Sequence, residues 1–135
     1  MKNGFNSSFV EIQTLEGEKF LRDLKPGDLV LTRDKTFDRI ISIEQRLAHS
    51  TEEVYNLYYH TDKEGVVDRI SGEHVMANGI RVKNLRVSDR INHISGKTAI
   101  IDRIEKMDTI NRFFYSIKLE KGSSYCVNNI FVKSI

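Results

Sequence analysis

The feature that most constrains this chain is a pattern written twice. Leu24-Lys25-Pro26-Gly27-Asp28-Leu29-Val30 parallels Leu85-Arg86-Val87-Ser88-Asp89-Arg90-Ile91. A glycine turn precedes each copy, at Gly17 and Gly79, and a Lys-Thr turn follows each, at Lys35-Thr36 and Lys97-Thr98. A long apolar run then ends in an acid, Glu44 and Glu105, and Val54-Tyr55-Asn56-Leu57-Tyr58 matches Phe114-Tyr115-Ser116-Ile117-Lys118. The offset stays near 60 throughout, too few copies for a solenoid or a propeller. The pattern predicts two β-subdomains related by a pseudo-twofold, each burying its apolar face against the other. Plain recurrence of β-hairpins is the alternative.

The rest of the chain reads as strands. Phe9 to Thr14 alternates with period two and is rich in β-formers, and Lys19 to Leu21 returns after a turn at Leu15 to Glu18. Pro26-Gly27 marks a turn, because proline presets φ and glycine tolerates positive φ. Strands are predicted at Asp28 to Thr32, Phe37 to Glu44, Val54 to His60, Asp89 to His93, Thr98 to Lys106, Arg112 to Leu119 and Tyr125 to Val132. Asn78-Gly79 predicts a hairpin over Val75 to Val82. Helical spacing could be argued for Leu21 to Leu24 and Ile100 to Met107, but the first is short and the second is rich in β-branched residues.

A chain of 135 residues is enough for one domain with a sizeable core. Net charge is +2 with both signs well mixed, so neither a nucleic-acid partner nor a membrane surface is expected. No apolar run reaches membrane-spanning length, and Met1 to Asn6 carries no apolar signal region. A single cysteine, Cys126, excludes an internal disulfide and a cysteine-rich zinc site. His49, His60 and His93 show no ligand spacing, so neither a metal nor a cofactor is expected. Tyr55, Tyr58 and Tyr59 read as packing, and Cys126 as a small buried hydrophobe. A cytoplasmic monomer is the resulting expectation.

The chemistry-bearing stretch is Ser71-Gly72-Glu73-His74, between an apolar run at Val66-Val67 and the predicted hairpin. Imidazole titrates near neutral pH and can donate to a developing amine, so His74 is the candidate acid–base group. A turn histidine bonded to a backbone carbonyl is the plainer alternative. Ser71 is a candidate orienting or oxyanion donor, or equally a hydroxyl capping its own turn. Ser7 and Ser8 are candidate nucleophiles, which would need a base to react.

Taken in order, these blocks resemble the Hint superfamily of inteins and hedgehog autoprocessing domains. Glu11 to Gly17, which contains Thr14, is similar to the family's first block. Ser71 to His74 with Leu85 to Ile91 is similar to its Thr-x-x-His block, and Phe114 to Leu119 and Tyr125 to Val132 to its last two. The resemblance covers nearly the whole chain, residues 1–135, with residues 1–6 read as an upstream flank or an added segment. It implies an all-β, intein-type horseshoe of two pseudo-twofold-related subdomains. It also implies single-turnover chemistry on a flanking polypeptide of the same precursor: an acyl shift at the first residue, assisted by the block histidine, here His74. Ser71, Ser7, Ser8 and Thr14 are the other site residues on this reading.

The carry-over is incomplete. Counting back from Thr14 and Gly17 puts the nucleophile position at Phe5, or at Gly4 if the loop is one residue longer. Neither side chain is a nucleophile. The family's terminal His-Asn pair falls on Lys133-Ser134, and its last catalytic aspartate and histidine positions on Ser116 and Ser123. The expectation is therefore an autoprocessing domain unable to splice as written. The alternative is a catalytically silent Hint-like structural or interaction module in a viral or mobile-element protein.

Overall fold

The computed structural model describes residues 4–49 and 51–135. They form eleven strands: β1 (Glu11–Thr14), β2 (Gly17–Phe20), β3 (Leu29–Leu31), β4 (Phe37–Leu47), β5 (Val54–His60), β6 (Glu64–Ser71), β7 (Arg90–Asn92), β8 (Thr98–Met107), β9 (Phe113–Leu119), β10 (Ser124–Val127) and β11 (Ile130–Lys133). Helical structure among the described residues is limited to two 3-10 turns, Leu21–Asp23 and Val82–Asn84. Among the described residues no helix is long and apolar enough to cross a membrane. The strands make a seven-stranded sheet, β11-β10-β1-β3-β4-β9 with β2 paired to β1, and a four-stranded sheet, β6-β5-β8-β7. Together they curl into the horseshoe of an intein-type all-β fold.

The duplicated pattern is present in the backbone. Both copies place their aspartate to close the same turn: Asp28 Oδ2 accepts the Lys25 N–H at 3.0 Å, and Asp89 Oδ2 the Arg86 N–H at 2.8 Å. Each turn needs a left-handed residue before the aspartate, supplied by Gly27 (φ 97°) in one copy and Ser88 (φ 76°) in the other. A strained serine thus does what glycine does more cheaply.

The halves exchange their long-strand partners. Strand β4 pairs with β9, and β8 pairs with β5, so each half's long strand takes its partner from the other half. Register obeys the repeat: Glu44 stands opposite Ser116, and Glu105 opposite Asn56. Register also slips at matching places, at Ile41 in β4 and at Asp102 in β8. Such bulges bend a strand and increase its twist, which lets a sheet curl on itself. Between the halves lies one core containing Ile12, Val30, Ile40, Leu57, Ile70, Ile91, Ile101, Ile117 and Val132.

Two local expectations change. Val75 to Val82 is a turn with one ladder pair, Val75 opposite Arg81, because Met76 pairs instead with Val132 of β11. The segment from Tyr125 to Val132 is a hairpin, not one strand. Asn128 (φ 46°) and Asn129 (φ 69°) both lie in the left-handed region, as a two-residue turn matched to strand twist requires. Asparagine tolerates that region better than other non-glycine residues.

Candidate functional site

Residues 4–6 are wedged between the two sheets. Phe5 exchanges two backbone hydrogen bonds with Tyr115 of β9, at 2.9 and 3.0 Å. On its other side the Asn6 N–H donates to Arg69 O, and the Ser71 N–H to Gly4 O. Asn6, fully buried, locks this arrangement. Its Nδ2 donates to Asn111 O and Phe113 O, and its Oδ1 accepts from the Ile110 and Asn111 amides. Such a saturated carboxamide fixes the backbone beside it.

His74 follows the turn that ends β6. Its N–H donates to Ser71 O at 3.0 Å, and the Ser71 hydroxyl accepts the Glu73 N–H at 3.2 Å. Its ring is 1% exposed, with its centroid 5.2 Å from Phe5 and 6.4 Å from Tyr125, the latter edge-on. Both ring nitrogens meet backbone. Nε2 lies 3.0 Å from Lys133 O, and Nδ1 accepts the Gly4 N–H at 3.0 Å. A carbonyl can only accept, so Nε2 carries the proton and the Nδ1 lone pair faces the Gly4 nitrogen. Burial pushes the imidazole pKa down to about 4, against a partial offset from the Lys133 carbonyl, so the ring is neutral at pH 7. The two ends of the domain thus meet on one ring, Gly4 on one nitrogen and Lys133 on the other.

Of the two residues the count points to, Gly4 and not Phe5 presents its amide to the His74 ring. It sits at φ 120°, and a Cβ built there would lie 2.6 Å from both Ser116 Oγ and Tyr115 O. The site is closed to any side chain at this residue without movement of β9.

The other sequence-derived candidates divide. Ser71 belongs to the site: its amide holds the Gly4 carbonyl while its hydroxyl caps the turn below His74. Ser7 Oγ accepts the Phe9 N–H at 3.2 Å. Ser8 engages through its carbonyl, which accepts the Arg22 N–H. Thr14 Oγ1 donates to Gly17 O at 2.6 Å and accepts the Glu16 N–H, closing the β1–β2 turn. No hydrogen bond among the described residues joins Ser7, Ser8 or Thr14 to Gly4 or His74. Lys133 contributes its carbonyl, not its exposed side chain, and Ser134 Oγ accepts the Leu119 N–H at 3.0 Å. Cys126 is buried, its thiol pushed up to about 12 by desolvation. Among the described residues no cluster of histidine, cysteine and acidic groups could hold a metal.

Sequence reasoning missed the clamp at Asn6 and the packing of Tyr125 against His74. Asn6 resembles any loop asparagine until its partners near residue 110 are brought to it by the fold. Tyr125 read only as an apolar strand position.

No protein-family model matches the chain, and no curated protein matches it in sequence. Solved structures do match over the whole fold. The gp41-1 intein superposes with a TM-score of 0.77 at 18% identity, covering 98% of each chain. An intein-like domain from Clostridium thermocellum gives 0.77 at 17% identity, covering 99% of each. The Ssp DnaB mini-intein variant M86 gives 0.78 at 11% identity, covering 98% of this chain and 93% of that one. At these identities the likeness is one of fold, and the fold is the Hint-type fold of inteins and intein-like domains.

Proposed function

We propose that this chain is an intein-like self-processing domain whose remaining chemistry is cleavage of the peptide bond that ends at the Gly4 nitrogen. One observation carries the reading: the Gly4 N–H is held 3.0 Å from Nδ1 of His74 inside a buried pocket. Cleaving an amide requires its nitrogen to leave as an amine, and an imidazole already in contact with that nitrogen is placed to assist. The cost of holding the two groups together is met by folding, before any reaction starts. Ser71 serves as a positioning residue, since its amide fixes the Gly4 carbonyl and thereby the orientation of the N–H.

Splicing is not part of the proposal. Gly4 has no side chain to accept an acyl group, and Ser134 lacks the carboxamide that a terminal cyclisation would need. The reaction is single-turnover, with the flanking polypeptide of the same precursor as its substrate. The domain acts as a monomer in the cytoplasm, with neither nucleic acid nor membrane as partner.

The test is a reporter fused ahead of Met1. Slow release with a new N-terminus at Gly4, lost in His74→Ala, supports the proposal. A fusion that stays intact on long incubation, with hydroxylamine or thiol present, refutes it. The second reading is a silent interaction module in a viral or mobile-element protein. It is favoured by the same ring's 1% exposure, and the intact fusion is its expected result.

A further inference from the structure

The two halves treat one equivalent surface in opposite ways, and the backbone fixes the equivalence. In the first half the Leu21 N–H donates to Val10 O and the Arg22 N–H to Ser8 O. In the second the Val82 N–H donates to His74 O and the Lys83 N–H to Gly72 O. Arg22 therefore corresponds to Lys83, and Phe9 to Glu73. Phe114 corresponds to Val54 in the repeat, so Phe113 corresponds to Glu53. The second half supplies its own acids: Lys83 Nζ lies 2.8 Å from Glu73 Oε1, and Glu53 accepts the Tyr55 hydroxyl. In the first half both acids are replaced by phenylalanine.

The cation left behind is held on aromatic rings. The guanidinium carbon of Arg22 lies 4.5 Å from the ring centroid of Phe9 and 5.9 Å from that of Phe20. Its acid neighbour is Asp23, 4.0 Å from Nε, with both side chains more than half exposed, a pair of little strength. Beside Arg22 opens a groove of about 470 Å³, floored by Leu21, Leu24, Ile43 and Tyr115. Lys25 joins Arg22 in lining it, and no acid does. Asp28 holds the Lys25 amide, but the ammonium has no ion-pair partner among the described residues. We propose that this groove binds an acidic segment of a partner polypeptide. An aromatic or large aliphatic side chain of the segment enters the groove, and its carboxylates bond Arg22 and Lys25.

Charge selects the occupant. Two cations on the rim repel a basic segment and gain nothing from a neutral one, whereas an acidic segment supplies the carboxylates that the second half carries in its own sequence. Length favours a polypeptide over a small carboxylate. Phe9 and Phe20, 57% and 37% exposed, continue the apolar surface on the far side of Arg22. A ligand confined to the groove would leave that pair uncovered, and exposed apolar patches rimmed by polar groups mark protein contacts. The site is also ordered before it is filled. A guanidinium laid on ring faces keeps its N–H edges free for a carboxylate. The 3-10 turn that presents Leu21 and Leu24 is closed by the Leu24 N–H to Leu21 O, so little is spent on fixing it when a partner arrives. Neither Arg22 nor Lys25 touches the ring of His74, and the proposal stands whether or not the domain cleaves.

The experiment is an amide NMR titration of the full chain with the blocked peptide acetyl-Asp-Glu-Phe-Asp-Leu-amide. A matched peptide with Asn and Gln in place of the acids is the control. The acidic peptide should shift the amides of Arg22, Leu24 and Ile43 saturably, and its affinity should fall as salt is raised. The control peptide, and the acidic peptide against Arg22→Glu, should each bind at least roughly tenfold more weakly. Lys25→Glu, at another exposed side chain, repeats the test should Arg22→Glu disturb the fold, and cooperative urea unfolding is recorded for both. No saturable shift up to millimolar peptide overturns the proposal. Equal binding of the two peptides, or binding indifferent to both charge reversals, overturns it as well. Shifts of the same amides on raising protein concentration without peptide would assign the groove to a second copy of the chain and overturn the partner segment.

Discussion

Lowering the pH should unfold this domain through one buried ring, by an amount that follows from its surroundings. His74 is neutral in the fold, with its pKa at about 4 against 6.5 in solvent, because a fully buried ring cannot hydrate a charge. As pH falls, the unfolded chain takes up this proton first, so the equilibrium is drawn toward unfolding. The ring's contribution is whole above about pH 6.5 and is lost progressively between there and pH 4. Between pH 7 and pH 5 the loss from this group comes to about 2 kcal/mol. Urea unfolding followed by circular dichroism at a series of pH values measures it, comparing wild type with His74→Gln. His93, whose pKa burial also lowers, contributes equally to both proteins and cancels. The stability gap between the two proteins should therefore narrow by about 2 kcal/mol from pH 7 to pH 5. Parallel pH curves would refute the reasoning, since they would mean that the folded ring accepts its proton as readily as the unfolded one. An imidazole NMR titration of wild type gives the same answer without a variant.

Two further outcomes follow from buried polar atoms. Asp38 is 2% exposed and its carboxylate accepts from the Arg39, Lys121 and Ser123 amides. Asp38→Asn turns one acceptor into a donor facing those N–H groups and should cost about 2–3 kcal/mol in denaturant unfolding. Tyr125 buries a hydroxyl that has no hydrogen-bond partner among the described residues. Tyr125→Phe removes an unmet polar group at nearly constant shape, so thermal unfolding should show a gain of about 1–2 kcal/mol.

Much of this architecture is legible in the residues, for local reasons. Val54 to His60 reads as a strand and is one, because apolar and polar positions respond to two faces of a sheet. Asp28 and Asp89 mark equivalent turns because each caps its own backbone three residues away. Non-local pairing is where legibility stops. Nothing in Phe37 to Leu47 states that its partner is β9, since any antiparallel strand of suitable face would serve. Val75 to Val82 carries a hairpin signal, yet Met76 finds a better partner in Val132. In the site, His74 stands out because its side chain has chemistry of its own. Gly4 could not, because what matters there is a missing Cβ and an amide that only the fold brings to the ring.

The exchange of long strands between the halves also sets an order of events on the ribosome. Strand β4 waits with an open edge until β9 has been made, and β5 waits likewise for β8. The carbonyl that fixes the tautomer of His74 belongs to Lys133, near the end of the last strand. The pocket around Gly4 therefore cannot close before Lys133 has been made. On the proposed reading, cleavage ahead of Gly4 would wait until the final hairpin docks, so the fold itself would act as a timer.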